Sequence, residues 1–437
     1  MILYEKISAQ LPEWRERINK LAKDNGDMKI GEVSVGQVLG GMRGVNSLVS
    51  DISYVDPYKG VLFRGFPIPE LLEKLPKLEG HEFPMAGGLY YMLLIGEVPT
   101  MDEALEVECE WKRRSEIPQY VFDTLRAMSP ASHPMTMFST AILSMQPESI
   151  FAKRYEEGMH KLNYWEATLE DSLNLTAKLP ALAAFIYNLR YKDGRYIPPN
   201  PDLDWSANFA HMIGKADDKE YQELCRLFFV LHADHESANV SAHTAHIVGS
   251  ALSNVYASCS AGMSGLAGPL HGLANQGCLR WLMRLRERFG GLPTREELEK
   301  FSWETLNSGQ VIPGYGHAVL RRTDPRFLAQ YNFAKKHMPD DELFQLVDLV
   351  YEVVPRVLAE LGKVSNPWPN VDAITGTIQY HYGLRELKIY TVIFGVSRIM
   401  GITANTVWSR IFGLPIERPQ SVTTGMLESA VRMFARS

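Results

Sequence analysis

The stretch TAHIVGSALSNVYASCSAGMSGLAG, residues 244–268, decides the fold class. Gly, Ala and Ser are dense in it, which lets helix backbones approach closely, a packing signature of helical cores. Working outward from it, helical periodicity recurs at 167–190, 219–232, 243–262, 277–289, 342–362 and 387–412. Pro12 is placed to open a further helix with Trp14, Ile18 and Leu21 on one face. The clearest strand signal is ISYVDPYKGVLFRGF at 52–66, where two β-rich runs flank Asp-Pro and Lys-Gly turn signals and predict one small hairpin. No alternation of strands and helices follows, so the class is mainly α.

The chain has 437 residues, 46% of them hydrophobic and 22% charged, enough for a large core and two or three domains. Lys and Arg number 45 against 51 Asp and Glu, a formal charge of −6 that excludes a surface adapted throughout to nucleic acid or anionic membrane. Any anion site is therefore local. Cys109, Cys225, Cys259 and Cys278 are far apart with no CxxC pairing, which excludes a disulfide framework or thiolate metal site and fits a reducing compartment. No window reaches the roughly 18 consecutive apolar residues of a membrane span. Glu5, Glu13 and Glu16 stand among the basic residues at the N-terminus, whereas transit peptides lack acids, so a targeting segment is expected to be absent or already removed.

Four segments carry candidate chemistry. LHADHESANVSAHTAH holds His232, His235, His243 and His246, but HExxH is absent and ESAN interrupts the helix, so capping or core histidines are expected rather than a metal site. In GLAGPLHGLANQ, His271 precedes a helix whose free amides favour negative charge, and it serves either a ligand or a structural hydrogen bond. VIPGYGHAVLRRTDPR sets His317 between glycines that let backbone approach a ligand, and adds Arg321, Arg322 and Arg326, whose forks suit carboxylate or phosphate unless they form only a solvated turn. In NPWPNVDAITG, Asp372 is the single charge from Ser365 to Tyr380. An apolar setting would raise its pKa toward that of a useful base, and the bland alternative is an N-cap. Arg398 and Arg418 lie nearer the C-terminus. Two histidines, one aspartate and several arginines on glycine-rich loops point to acid–base chemistry on a small polyanion without a metal.

Together, GGMRG, FRGFPIPE, HADHESANVSAHT, GLAGPLHGLANQ, TLNSGQVIPGYGHAVLRRTDPR, NPWPNVDA, FGVSR and ERP resemble the citrate synthase family of the eukaryotic mitochondrial type over nearly the whole chain. The resemblance implies a mainly α, multi-helical two-domain fold with one small hairpin, forming a homodimer in the mitochondrial matrix. The large domain would be 1–272 with 384–437, and the small domain 273–383. It implies condensation of acetyl-CoA with oxaloacetate to citryl-CoA and hydrolysis to citrate and CoA, with no cofactor and no metal. Asp372 would be the base, His271 the donor to the thioester oxygen and His317 the donor to the oxaloacetate carbonyl. His235, Arg326 and Arg398 would hold the substrate carboxylates, with Arg418 from the other subunit. CoA would meet Val311, Gly314, Tyr315, Gly316, Arg321, Asn370 and Lys161, with Arg43 from the partner. Lys161 replaces an arginine frequent in the family, which keeps a phosphate contact and loses its bidentate geometry. The rival readings are a 2-methylcitrate synthase using propionyl-CoA, since one methylene is worth only about 1–3 kcal/mol of discrimination, and a non-catalytic assembly protein on the same fold.

Overall fold

The computed structural model describes residues 1–434. Among them are twenty α-helices and one small antiparallel sheet of order β1-β2-β3, with β1 at Ser53–Asp56, β2 at Gly60–Phe63 and β3 at Phe66–Pro67. The expected hairpin is present in register, Asp56 opposite Gly60, but it is a three-stranded meander, because the chain turns back at Arg64 and Gly65 and pairs Phe66 with Phe63. The first helix runs Ile2–Asn25 and contains Pro12, so Pro12 does not open it. The helix starts ten residues earlier than a proline-at-N1 reading allows, with Leu3 and Ile7 anchoring its first turns in the core.

The core is built on two long helices, Tyr164–Tyr191 and Tyr390–Phe412. In the second, all residues except Phe394 and Ser409 are buried. Contrary to the reading of the sequence, Leu387–Phe412 is long and apolar enough to cross a membrane, but 83% of its most apolar window is buried inside the protein, as a core helix must be. The first long helix passes through Pro180, which lacks an N–H and leaves the carbonyl of Thr176 without its helical donor. The Trp205 indole N–H donates to that carbonyl at 2.9 Å. Trp205→Phe therefore strands a buried acceptor, and chemical denaturation should show a loss of about 1–3 kcal/mol.

The small-residue stretch forms two helices, Val240–Ser250 and Val255–Leu266, rather than one over 243–262. The break is at Leu252, whose φ of 63° no helix accepts. Their backbones touch: a Cβ on Gly262 would lie 2.7 Å from the Ser241 carbonyl oxygen and 3.1 Å from the Ala245 Cβ. This close packing carries Ser241 to the turn that bears His271. The remaining periodic segments appear as Lys219–Leu231, Ala274–Phe289 and Glu342–Leu361. The four cysteines are free, with Cys109 exposed and the other three buried.

Candidate active site

His271 sits in a tight turn just after the helix Val255–Leu266, its amide donating to Gly268 O at 3.0 Å and the next amide to Leu266 O at 3.1 Å. Its ring meets the start of the neighbouring helix. The Ser241 backbone N–H points at His271 Nε2 from 3.3 Å, and the Ser241 hydroxyl stands 3.0 Å from the same nitrogen. A backbone amide cannot become an acceptor, so Nε2 accepts and the proton of the neutral ring resides on Nδ1. Burial, reinforced by the Arg398 charge, pushes the imidazole down to about 4, so it is neutral at physiological pH.

The second histidine is fixed in the opposite tautomer by the same device. His317 Nδ1 accepts from the amides of Val319 at 3.1 Å and Leu320 at 3.0 Å, which leaves the proton on Nε2. Burial and the Arg326 charge hold its pKa below the ordinary histidine value, against the opposing effect of Asp324. His235 stands edge-on to it with ring centroids 5.7 Å apart, its own pKa driven well down by burial, Arg326 and Arg398.

Asp372 is the first residue of the helix Asp372–His381, not its N-cap, which is Val371. Its loop is stitched to the His317 loop through Asn370, whose amide donates to Gly314 O at 2.9 Å and whose side chain donates to Gly316 O at 3.3 Å. The Asn370 Oδ1 accepts from the Asp372 amide at 3.0 Å. Tyr315 forms a bridge with Pro369, and Asp324 N donates to Pro369 O at 3.1 Å. Loss of solvation lifts the Asp372 carboxyl to about 6, more than Arg326 and Arg398 pull it down. Gly314 is required where the two segments meet: its φ is 79°, and a Cβ there would lie 2.8 Å from Ala373 Cα and Cys278 Sγ. Gly314→Ala is expected to lower kcat/KM by about tenfold or more by pushing Asp372 off position, a change of at least ~1.4 kcal/mol that steady-state kinetics would detect.

Two buried arginines wall the cluster. Arg326 spends one edge on Asp324, with Nε to Oδ1 at 3.1 Å and Nη2 to Oδ2 at 2.7 Å, and keeps its Nη1 edge for another acceptor. Arg398 donates through Nε to His232 O at 3.3 Å, lies over the Phe394 ring at 4.7 Å, and burial lowers its pKa to about 10 with Asp234 as countercharge. The charge of Arg398 reaches His271, His235 and Asp372, so one guanidinium is common to all three groups.

The structure thus brings His235, His271, His317, Arg326, Asp372 and Arg398 into one electrostatic neighbourhood. Arg43, Lys161 and Arg418 are exposed, and none is among the charges acting on His271, His317 or Asp372. Val311 is 77% exposed. Arg321 turns its Nη1 onto the carbonyls of Ala318, Val319 and Leu320, while Arg322 lies over Tyr58. His232 is a core histidine, stacked on Phe228 at 4.1 Å and held near pKa 3 by burial. Among the described residues no group of three or more His, Cys, Asp or Glu side chains is placed to hold a metal ion. Reading the sequence missed Ser241, Asp234 and Asp324. Only Asp324 had a local signal, the Asp-Pro at a helix start, where its carboxylate caps the Arg326 amide at 2.9 Å.

Two neutral imidazoles with opposite N–H groups free, beside a carboxylate of raised pKa and buried arginines, are the equipment of an acid–base enzyme working next to a carbonyl on a polyanionic substrate. The family model for the citrate synthase C-terminal domain matches residues 41–420. A probable mitochondrial citrate synthase of Glossina morsitans morsitans is 50% identical over 431 residues, 98% of this chain and 92% of that protein. A mitochondrial 2-methylcitrate synthase of Yarrowia lipolytica is 48% identical over 423 residues, 97% of this chain and 91% of that protein. The crystal structure of citrate synthase from Pyrobaculum aerophilum shares the fold with a TM-score of 0.78 at 24% identity, covering 91% of this chain and 97% of that one. The chain belongs to the citrate synthase family, acyltransferase-type condensing enzymes acting on acetyl-CoA and oxaloacetate.

Proposed function

We propose that Asp372, His271 and His317 carry out the citrate synthase reaction in this chain, with the two histidine tautomers as the observation that supports it most directly. Asp372, ionised above about pH 6, takes a proton from the acetyl methyl group. The Nδ1–H of His271 donates to the thioester oxygen as the enol or enolate forms, and being neutral it donates without first losing a proton. The Nε2–H of His317 donates to the oxaloacetate carbonyl oxygen, making its carbon electrophilic. The new carbon–carbon bond gives citryl-CoA, and water then cleaves the thioester to citrate and CoA. Because the chain itself supplies donors to both carbonyls, no cofactor or metal is needed beyond the substrates. The free edge of Arg326, together with Arg398 and His235, would hold the oxaloacetate carboxylates, and the 311–317 loop with Tyr315, Gly316 and Asn370 would receive CoA.

The assignment of 1–272 with 384–437 to a large domain and 273–383 to a small one is supported by what lies across that boundary. Arg321 N donates to Pro57 O at 2.7 Å, and Lys336 and His337 meet Glu82 at 2.7 and 3.1 Å, polar contacts that lie beside aromatic ones, Phe83 with Phe333 at 6.0 Å and Tyr221 with Tyr382 at 5.6 Å. A homodimer is supported by apolar side chains on two loosely packed segments. Ile30 is 75% exposed, Leu39 74% and Ile416 61%, and these segments also carry Arg43 and Arg418, the residues expected to serve the partner's site. The mitochondrial names of similar relatives place the protein in the mitochondrial matrix. The Yarrowia relative keeps a second reading open, propionyl-CoA in place of acetyl-CoA. Oxaloacetate-dependent release of free thiol decides: faster release from acetyl-CoA supports citrate synthase, faster release from propionyl-CoA supports 2-methylcitrate synthase, and no release from either overturns both.

A further inference from the structure

The segment 414–423, between the core helix Tyr390–Phe412 and the last helix Thr424–Phe434, has no regular secondary structure, and only Leu414 and Glu417 on it are withdrawn from solvent. Glu417 is held by two hydrogen bonds, with His246 as a third, longer neighbour. Its Oε1 lies 2.8 Å from His243 Nε2, its Oε2 lies 3.6 Å from His246 Nε2, and its amide donates to Ser250 Oγ at 3.0 Å. His243 and His246 are one turn apart on the helix Val240–Ser250, so both face the same carboxylate. The other charge at this spot is Arg410, whose Nη2 is committed to Gly249 O at 2.7 Å, while Ser409 Oγ stands 3.5 Å from His246 Nδ1. Burial, with the nearby His243 and Arg410, lowers the His246 pKa, and Glu417 opposes that shift only in part. The next residue after this anchor is Arg418, which is exposed.

We propose that His243, His246 and Glu417 form a clamp that positions Arg418 for the partner subunit's oxaloacetate site. This rests on the reading that Arg418 crosses the dimer. The clamp sits on the helix whose first turn also sets the tautomer of His271 through Ser241, so one rigid element serves its own subunit's site at one end and the partner's at the other. These three are positioning residues: none is expected to touch substrate, and their loss should appear in oxaloacetate binding rather than in the chemical step.

The test uses heterodimers in which Asp372→Ala silences one of the two sites. With Asp372→Ala and Glu417→Ala on the same subunit, the one working site receives Arg418 from the loosened segment. The KM for oxaloacetate should rise about tenfold with kcat within about threefold of the reference. With the two substitutions on opposite subunits, the working site receives Arg418 from an intact clamp, and its KM should equal that of the Asp372→Ala/wild-type heterodimer. Activity in that second arrangement also shows that the Glu417→Ala subunit folds. Glu417→Gln, which keeps one oxygen for His243, should fall between. Equal KM values in the two arrangements, whether raised or normal, overturn the proposal. The same pair built with Arg418→Ala separates the causes: asymmetry there without asymmetry for Glu417 refutes the clamp alone, and no asymmetry in either refutes the crossing of Arg418 itself.

Discussion

Asp372→Asn is expected to lower kcat by about 10³-fold while leaving the protein folded and more resistant to heat than the parent above pH 7. Asparagine keeps the shape and removes the base. The stability effect follows from the raised pKa. The carboxyl titrates at about 6 in the fold against an ordinary 3.8, so holding it ionised costs folding free energy. That cost is present in full well above pH 6, shrinks as pH falls through the folded pKa of about 6, and is gone only below the ordinary 3.8, where the carboxyl is protonated in both the folded and unfolded states. The variant's advantage in thermal midpoint should therefore be largest at pH 7 to 8 and fade at pH 4. An Asp372→Asn protein as active as its parent would remove Asp372 from the mechanism. One less stable at pH 8 would mean that the carboxylate is a structural acceptor instead.

His271→Ala and His317→Ala should each reduce kcat by about 10²- to 10³-fold, the scale for removing one preorganised donor to a developing oxyanion. The two losses should differ in kind. His317 stands beside His235 and feels the charge of Arg326, so its removal should also weaken oxaloacetate binding, whereas removal of His271 should leave oxaloacetate binding near its parent value. In both variants the acid limb of the pH profile should stay near pH 6, because Asp372 sets it. A limb that moves with either histidine would assign the titration to the imidazole.

Much of this was legible in the chain. Glycine, proline and polar punctuation marked the loops that carry His271, His317 and Asp372, and the small residues at 244–268 marked the tightest helix contact. What stayed hidden has one physical cause: it depends on backbone groups or on partners far away in sequence. The tautomer of His271 is set by the amide of Ser241, thirty residues earlier, and an amide leaves no mark on residue identity. The fork of Arg326 looked free in the sequence, and half of it belongs to Asp324. Pro12 looked like a helix start because proline is favoured there, but burial of Leu3 and Ile7 extends the helix past it. The core helix at 390–412 looked ordinary by its polar residues, yet Ser397, Arg398, Thr403 and Asn405 are all buried and hydrogen-bonded inside. Glu417 drew no notice in the sequence, because the two histidines that meet it lie about 170 residues earlier.

The central claim is that Asp372, with its raised pKa, is the base that starts the condensation. The pH dependence of kcat/KM for acetyl-CoA at saturating oxaloacetate, followed by release of free thiol, tests it most directly. A single ionisation near pH 6, below which kcat/KM falls tenfold per unit, is the predicted result. A profile flat down to pH 4.5, or a limb that survives in the residual activity of Asp372→Asn, would contradict it.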